Sequence, residues 1–361
     1  MTAMPGIWTR RRLLAAGAGI GAFAALGGHA RAQDKDSAIR YFRIGTGATG
    51  GTYYPIGTVL ANAISNPPGS RPCDRGGACG VPGLIATAQT TQGSVQNLEE
   101  LMAGRFDSAL SQADVAYWAY RGEAIYQGKK PFESLRLIAT LYPETVHLVV
   151  LRESGIAAVG DLKGKRVSLG EAGSGTLVHA RIVLEAHGLA PEDLDSAYLR
   201  IGESADALRQ GKLDAFFFTG GVPVAAIAAL AGATDIALVP IAGAPVEPLR
   251  RRFPYFNTAI ISGAEYKGVV DTPTLAVNTL WVVDAKADAD LIYGVTKALW
   301  HPNTKALLDK GHPAGKLITI ERAVEPSPIP FHPGAERYYR EVNKLPARAN
   351  GGAPNQGDAP N

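Results

Sequence analysis

Several features are scarce in this 361-residue sequence, and each scarcity excludes a class of protein. Two cysteines are too few for a multi-disulfide framework or a four-cysteine zinc site. Basic and acidic residues are nearly equal in number, with 36 Lys and Arg and 33 Asp and Glu. The resulting net charge of +3 does not indicate a nucleic-acid-binding protein. Beyond the N-terminal region no run reaches the ~18 apolar residues of a membrane span, so we expect the mature chain not to be membrane-spanning.

Glycine and proline, in contrast, are abundant. The chain contains 42 Gly and 24 Pro, which predicts many tight connections between short elements. Hydrophobic residues make up 46% of the sequence, enough to form substantial buried cores, and the length suits two ordinary domains.

Residues 1–32 have the order of an export signal. Arg10–Arg12 precede an uncharged run rich in Ala and Gly at residues 15–28, and an Ala-Arg-Ala cleavage site ends at Ala32. This run is shorter than the ~20 residues that a membrane anchor needs, which favours cleavage. The paired arginines resemble a twin-arginine (Tat) signal, with general secretion as the alternative. We predict cleavage after Ala32 and a periplasmic location.

The remaining sequence alternates short apolar strands with amphipathic helices, which is typical of parallel α/β sheets. The predicted strands are residues 41–45, 84–90, 107–111, 135–141, 146–151, 166–169, 215–218 and 275–283. The predicted helices are residues 53–65, 95–103, 177–187, 205–210, 222–230, 291–300 and 304–310. Tyr-Pro-Glu-Thr is expected to join the fourth and fifth strands, and residues 346–361 are predicted to be a disordered tail.

A weak internal repeat indicates two similar halves. Residues 93–109 contain a helix, a glycine and an Asp-x-Ala strand in series, and residues 204–215 contain the same series. Two such α/β lobes would hold a ligand between them. The alternative is that the repeat reflects only the general pattern of α/β units.

The first glycine-rich turn, residues 45–50, fits the G-x-G-x-x-G pattern of a dinucleotide site. Two bulky tyrosines and a proline at residues 53–55 oppose that interpretation, as does the lack of an acidic residue ending a second strand about 20 residues later. The remaining interpretation is an anion-binding site at a helix N-terminus, where Gly50 and Gly51 allow a ligand to approach the backbone closely and Thr52 adds a hydroxyl.

The second glycine-rich turn, Gly173-Ser174-Gly175-Thr176, offers a similar arrangement. It lacks the lysine of a phosphate-binding loop, which disfavours a nucleoside triphosphate. The hydroxyls of Ser174 and Thr176 beside free N–H groups suit a carboxylate. The alternative is that Thr176 is only a helix N-cap.

Residues 44–57 closely resemble the opening of the TAXI-type solute receptors of TRAP transporters. The resemblance covers about residues 40–320, and further matching segments follow in the same order. These are residues 93–98, 111–116, 141–147, 173–176 and 214–223.

The resemblance implies a type II periplasmic binding protein, in which parallel-rich sheets flanked by helices form two lobes around a ligand cleft. Lobe 1 would comprise residues 37–148 plus 281–345, and lobe 2 residues 149–280. The solute would be a small carboxylate, such as glutamate, another amino acid or a dicarboxylate. The partner would be a TRAP transporter with fused small and large membrane subunits. We expect a monomer without cofactor, metal or enzymatic activity.

The candidate ligand-binding residues lie in the two glycine-rich turns and in the matching segments. They are Thr49, Gly50, Gly51, Thr52, Tyr53, Ser94, Gln112, Ser174, Gly175, Thr176 and Thr219. No Gly-x-Ser-x-Gly elbow and no paired metal-binding histidines accompany them in the sequence, and we predict no catalytic residue. An exported lyase or oxidoreductase acting on a small acid on a related α/β fold is the alternative class.

Residues 66–83 depart from the simplest family pattern. This insertion is rich in Pro and Gly and contains Cys73 and Cys79. In an oxidising compartment the two cysteines can form a disulfide that closes a small loop, and two free thiols are the alternative. We expect the insertion to border the ligand cleft.

Overall fold

β-Strands form the centre of the structure, a computed structural model that describes residues 39–346. The strands within this range are β1 (Arg40–Gly45), β2 (Ser65–Asn66), β3 (Val81–Pro82), β4 (Leu84–Gln89), β5 (Ser108–Gln112), β6 (Leu135–Leu151), β7 (Arg166–Ser168), β8 (Asp195–Ala197), β9 (Ala215–Gly220), β10 (Ile236–Leu238), β11 (Asn257–Ile261) and β12 (Thr272–Asp284). The predicted signal peptide and the tail beyond residue 346 lie outside the described residues.

The helices alternate with these strands along most of the chain. They are α1 (Tyr53–Ile64), α2 (Ser94–Met102), α3 (Ala113–Arg121), α4 (Gly175–Ala186), α5 (Ile201–Arg209), α6 (Ala225–Ala233), α7 (Val246–Arg252), α8 (Ala289–Leu299), α9 (Pro302–Gly311), α10 (Ile320–Ala323) and α11 (Pro333–Glu341). Within residues 39–346, none of them combines the length and apolarity needed to cross a bilayer.

Ten of these strands form one mixed sheet, whose main path runs β4-β1-β5-β12-β6-β9-β7-β8. We call the parallel strands β4, β1 and β5 the first sheet half, and the parallel strands β9, β7 and β8 the second sheet half. Between them lie β12 and β6, which run antiparallel to each other. β12 also pairs antiparallel with β5, and β6 pairs antiparallel with β9. The predicted α/β class with a helix-flanked central sheet is confirmed. The two halves do not form separate sheets, because β6 and β12 join them, while β2 and β3 form a small two-stranded sheet of their own.

The prediction of two strands at residues 135–141 and 146–151 is wrong, because β6 is one continuous strand of 17 residues. Pro143, which has no N–H to donate, was expected to break it. Pro143 pairs with Asn278 of β12 next to a shift in the strand register. From Thr145 onward β6 also pairs with β9. Proline is tolerated at such irregularities.

Apolar spacing explains how the helices cover the sheet. In α1, Ile56, Leu60 and Ile64 recur every four residues, so they lie on one face, and all three are fully buried. They pack in a core cluster with Trp281 of β12, whose indole N–H donates to the Ser108 hydroxyl at 3.0 Å. Burying each such aliphatic side chain contributes roughly 1.5–3 kcal/mol.

Three histidines begin helical segments in the C-terminal part of the chain. His301, His312 and His332 each precede a proline, and the Nδ1 atom of each accepts a hydrogen bond from the N–H two residues later. Proline suits the first helical position because its φ is already helical and its missing N–H would be unpaired there. His301 in this way caps α9, and His332 caps α11.

Candidate functional site

The candidate site is a cavity at the carboxyl ends of parallel strands from both sheet halves, the edge where open α/β sheets commonly bind ligands. Loops after β1, β4 and β7 and the ends of β5 and β9 contribute to its lining. The empty space in and in front of the cavity, including open solvent at its mouth, is about 560 Å³.

Four helices begin with residues that line this cavity. Thr52 and Tyr53 line it at the start of α1, Gly93 and Ser94 at the start of α2, Gly175 with its neighbours at the start of α4, and Arg200 and Ile201 at the start of α5. The first N–H groups of a helix have no partner inside the helix, and they lie at the positive end of its dipole. Four such ends around one cavity make it suited to an anion.

The start of α4 is the richest in donors. Ser174 is the N-cap, and its Oγ accepts a hydrogen bond from the N–H of Leu177 at 3.0 Å. Thr176 is therefore not the cap, and its Oγ1 accepts from the N–H of Thr219 at 3.1 Å. Both hydroxyls keep their own proton to donate. No hydrogen bond within residues 39–346 takes up the N–H of Gly175 or of Thr176.

A chain of buried side chains forms one wall. The Tyr53 hydroxyl lies 3.2 Å from the Ser94 hydroxyl, which donates to Gln112 Oε1 at 3.1 Å. Gln112 Nε2 donates to Glu144 at 2.9 Å, and the Thr279 hydroxyl donates to the other Glu144 oxygen at 2.6 Å. Burial raises the pKa of Glu144 and raises that of Tyr53 well above its usual value. The wall thus has a fixed pattern of donors and acceptors.

An ion pair lines another part of the cavity. Arg200, the residue before α5, donates through Nε to Glu171 at 2.9 Å. The Arg200 side chain is 52% exposed and the Glu171 side chain 12% exposed. Burial raises the pKa of Glu171, although its bond to Arg200 acts in the opposite direction. In the described chain Arg200 is the one cationic side chain in the lining, and no protein group accepts from its terminal nitrogens.

Behind the lining, Asp114 and His179 hold Thr219. His179 Nε2 lies 2.8 Å from Asp114 Oδ2, and His179 Nδ1 lies 3.0 Å from the Thr219 hydroxyl. The His179 and Asp114 side chains are fully buried. Because Nε2 faces a carboxylate, the neutral ring carries its proton there, and Nδ1 accepts from Thr219. His179 therefore positions a lining residue without lining the cavity itself.

Most of the candidate residues come together as expected. The lining includes Gly51, Thr52, Tyr53, Ser94, Gln112, Ser174, Gly175, Thr176 and Thr219. Thr49 and Gly50 are not in the lining. The N–H of Gly51 donates to Ala48 O at 3.0 Å, which closes a turn with Thr49 and Gly50 at its tip. The Gly50 carbonyl instead accepts from the N–H of Ala226 at 3.2 Å.

Several lining residues were not predicted. Glu144 lies in a matching segment, so the signal was present, but a buried carboxyl group was not expected beside an anion site. Glu171 and Arg200 are 29 positions apart, and no sequence pattern marks them as a pair at the cavity. The other unpredicted members are Gly47, Ala48, Gln92, Gly93, Gly170, Leu199, Ile201, Phe217, Phe218 and Gly220.

The insertion at residues 66–83 does not border the cavity, contrary to expectation, since none of its residues is in the lining. It follows the carboxyl end of α1, a helix of 12 residues whose amino end is at the cavity. At 1.5 Å per residue those ends are about 18 Å apart. The predicted Cys73–Cys79 disulfide is present, and its sulfurs lie against the start of α9.

Residues 44–342 match the NMT1-like family. Similar solved structures include the alkanesulfonate-binding protein of Xanthomonas axonopodis pv. citri bound to MOPS, with 19% identity, 84% of each chain covered and a TM-score of 0.44. The periplasmic aliphatic sulphonate binding protein of Escherichia coli has 16% identity, covers 76% of this chain and 79% of its own, and has a TM-score of 0.40.

A further similar structure is a putative L-cystine ABC transporter protein of Listeria monocytogenes. It has 16% identity and a TM-score of 0.44, and the match covers 79% of this chain and 98% of the other.

Proposed function

The chain belongs to the NMT1-like family, and we propose that it is an extracytoplasmic receptor that captures a small carboxylate and delivers it to a TRAP-type transporter. The observation that carries the proposal is the convergence of four helix N-termini, those of α1, α2, α4 and α5, on one small cavity that also contains donor hydroxyls. Carboxylates are stabilised by N–H donors at the positive ends of helices.

The strongest position for a carboxylate is the start of α4. There the N–H groups of Gly175 and Thr176 have no protein partner in the described chain, and the hydroxyls of Ser174 and Thr176 have protons to donate. Each hydrogen bond to a charged group contributes roughly 1.5–3 kcal/mol. The terminal nitrogens of Arg200 supply a second, charged donor on the wall.

The acidic residues in the lining favour a solute that carries a second polar or charged group in addition to its carboxylate. Glu171 is bonded through one oxygen to Arg200, and its other oxygen is available to a donor. An amino acid such as glutamate would place its ammonium group near an acceptor and its carboxylate at the helix ends. A dicarboxylate would use Arg200 for its second charge.

We further propose the two lobes inferred from the sequence, residues 37–148 plus 281–345 and residues 149–280. Direct contacts then join the lobes at the cavity. The Thr52 hydroxyl donates to Gly221 O at 2.7 Å, and the Gln96 N–H donates to Gly173 O at 3.0 Å. A solute that touches both lobes favours closure only through the contacts that it gains there.

Delivery to a TRAP transporter with fused small and large membrane subunits is supported by the resemblance of residues 44–57 to TAXI-type receptors. Periplasmic location is supported by the export signal in residues 1–32. The same chain would therefore bind its solute outside the cytoplasm and release it to the membrane subunits.

Native mass spectrometry of protein purified without refolding tests the proposal by identifying a co-purifying acid. Calorimetry then compares L-glutamate with L-glutamine and succinate with succinamide, pairs that differ by replacement of carboxylate with amide. We expect each amide to bind more weakly than its acid partner. Equal affinity within both pairs would contradict a carboxylate receptor, and chemical conversion of the bound acid would favour the exported enzyme.

A further inference from the structure

A second cluster of reactive side chains lies on the insertion, away from the cavity. Cys73 and Cys79 are joined by a disulfide, and His301 at the start of α9 places Nε2 3.6 Å from Cys73 Sγ. Asn303 Nδ2 lies 3.2 Å from Cys79 Sγ. The Cys73, Cys79 and His301 ligand atoms all lie within 4.8 Å of one another.

We propose that reduction of this disulfide creates a metal site in which Cys73, Cys79 and His301 bind a thiophilic d¹⁰ cation, Zn²⁺ or Cu⁺. Two thiolates and one imidazole are ligands that such cations prefer. The disulfide-bonded form lacks the thiolates and binds no such cation at this position. The site is independent of the solute cavity and of the function proposed for it.

The spacing of the histidine already fits tetrahedral coordination. With Zn–S of about 2.3 Å and Zn–N of about 2.0–2.1 Å, a tetrahedral centre separates S and N by about 3.6 Å. The observed separation between Cys73 Sγ and His301 Nε2 is 3.6 Å. Two adjustments are then required: the two sulfurs separate to about 3.8 Å once their bond is broken. Cys79 Sγ, which lies within 4.8 Å of the His301 ligand atom, also takes up a separation of about 3.6 Å from Nε2.

The loop keeps the two cysteines adjacent without the disulfide. The Gly77 N–H donates to Pro72 O at 3.0 Å, and the Ala78 N–H donates to Arg71 O at 3.1 Å. These backbone bonds close the same loop as the disulfide. Gly76 has a φ of +75°, a conformation that glycine adopts without strain, so the chain can reverse there in either redox state.

Metal binding requires His301 to change the ring nitrogen that carries its proton. Its Nδ1 accepts from the Asn303 N–H at 3.2 Å, so in the neutral ring Nε2 carries the proton and faces Cys73. Metal binding at Nε2 transfers this proton to Nδ1 and ends the bond from Asn303. Because Asn303 is exposed, water can accept from the released N–H. Cys73, Cys79 and His301 are each half-buried, so a reductant and a cation can reach them.

The chemistry balances in two steps. A dithiol reductant gives two electrons and two protons to the Cys73–Cys79 bond, which becomes two thiols while the dithiol becomes a disulfide. The cation then displaces one proton from each thiol as the two metal–sulfur bonds form. An oxidant that restores the disulfide removes both anionic ligands and releases the cation.

The experiment uses the full chain, reduced with a phosphine that is then removed under anaerobic conditions. Co²⁺ is titrated as a spectroscopic substitute for Zn²⁺, and Zn²⁺ is added in competition; a separate arm titrates Cu⁺ against a chromophoric chelator. We expect thiolate-to-cobalt charge-transfer absorption at one equivalent in the reduced protein only. Equal binding by the oxidised protein, or no thiolate absorption after reduction, would overturn the proposal.

Three variants assign the ligands. Cys73→Ser/Cys79→Ser should abolish the charge-transfer band. His301→Asn keeps a good helix N-cap and removes the imidazole, and we expect Zn²⁺ affinity to fall at least about tenfold. His187→Asn removes a half-buried imidazole elsewhere and should leave Zn²⁺ affinity unchanged. Equal loss in His187→Asn and His301→Asn, or no loss in either, would exclude His301 as a ligand.

Discussion

The two glycine-rich turns at the cavity look alike in sequence and differ in what they do. Each follows a parallel strand and precedes a helix of 12 residues. In the first turn, the Thr52 hydroxyl donates across the cavity edge to Gly221 O. In the second, the Ser174 hydroxyl caps its own helix and Thr176 accepts from Thr219. Both turns thus link the two halves, since the Gly173 carbonyl accepts from the Gln96 N–H, and the second turn also presents donors to the cavity.

Their glycines serve two needs. At Gly173 in the second turn, and at Gly170 shortly before it, φ is +83° and +90°, a conformation that favours glycine. At Gly51, directly after the first turn, φ is not positive, and space is the reason: a Cβ there would lie 3.0 Å from the Phe218 ring. Space also constrains the second turn, which therefore has a backbone requirement in addition.

The largest effect expected is from Gly175→Ala in the second turn. A Cβ there would lie 1.5 Å from Gln112 Oε1, so Gln112 must leave its place in the wall. We expect solute affinity to fall about 100-fold, at the upper end of the 1–3 kcal/mol cost of overpacking. In the first turn, the Cβ of Gly50→Ala would lie 3.3 Å from the Ala226 methyl and 3.5 Å from Ile201 Cγ2, without a severe overlap, and should change affinity less than about threefold. Calorimetry giving equal losses would contradict the distinction.

Strand β6, which helps to join the two sheet halves, carries two buried ionisable groups, His147 and Glu144. Burial lowers the pKa of His147 from 6.5 to about 4, whereas it raises that of Glu144. His147 bonds Tyr266, whose hydroxyl accepts from Val224 beside the second half.

In the unfolded chain His147 takes up a proton near pH 6.5, whereas in the native state it does so only near pH 4. Between these two pH values the unfolded state binds more protons, so the free energy of unfolding decreases as pH falls through that window. The loss is about 3 kcal/mol at most. Glu144 acts in the opposite direction. Urea unfolding at pH 7 and pH 4.5 should show a smaller loss on acidification in His147→Gln than in wild type. An unchanged pH dependence would contradict the role of His147, with His187→Gln as the control.

Removal of the disulfide tests whether solute binding at the first turn depends on the insertion at the far end of α1. Cys73→Ser/Cys79→Ser should lower the free energy of unfolding by about 2 kcal/mol at most, because the closed loop is short. Solute affinity should stay unchanged, since the loop does not line the cavity. Alkylation of the non-reduced protein should label neither cysteine. A change in affinity would show that the insertion acts on the cavity through α1.

The smallest effects are expected from removing one threonine hydroxyl at each turn. Thr176→Ala should weaken solute binding by roughly 1–2 kcal/mol, at the low end of the range for a hydrogen bond to a charged group, with the fold intact. Thr52→Ala should mainly reduce stability by about 1 kcal/mol through the lost bond to Gly221. Calorimetry and thermal unfolding separate the two outcomes. Unchanged affinity in Thr176→Ala would remove Thr176 from the site.

Local sequence predicted most strands and helices near the cavity, because periodic apolar residues and glycine-rich turns act over short distances. It did not predict α3, which begins directly after Gln112, and it placed the start of α5 at residue 205 instead of Ile201. Thr49 and Gly50 belong to the first motif but do not line the cavity, because the bond from Gly51 to Ala48 places them at the tip of a turn. The strand at β6 was divided at Pro143 because the partner strand that accommodates proline is more than a hundred residues away.

The sequence by itself determined the α/β class, the two helix-starting turns, the candidate donors at Ser174 and Thr176, and the cysteine pair. Each depends on residues close together in the chain, where backbone geometry limits the alternatives. Only the tertiary structure decided that Glu171 pairs with Arg200, that Glu144 is buried in the cavity wall, and that the cysteine loop lies on α9 beside His301. The Glu171–Arg200 pair depends on the pairing of β7 with β8, Glu144 on the pairing of β6 with β12, and the cysteine loop on the packing of α1 against α9. Such long-range packing has no local signature in the sequence.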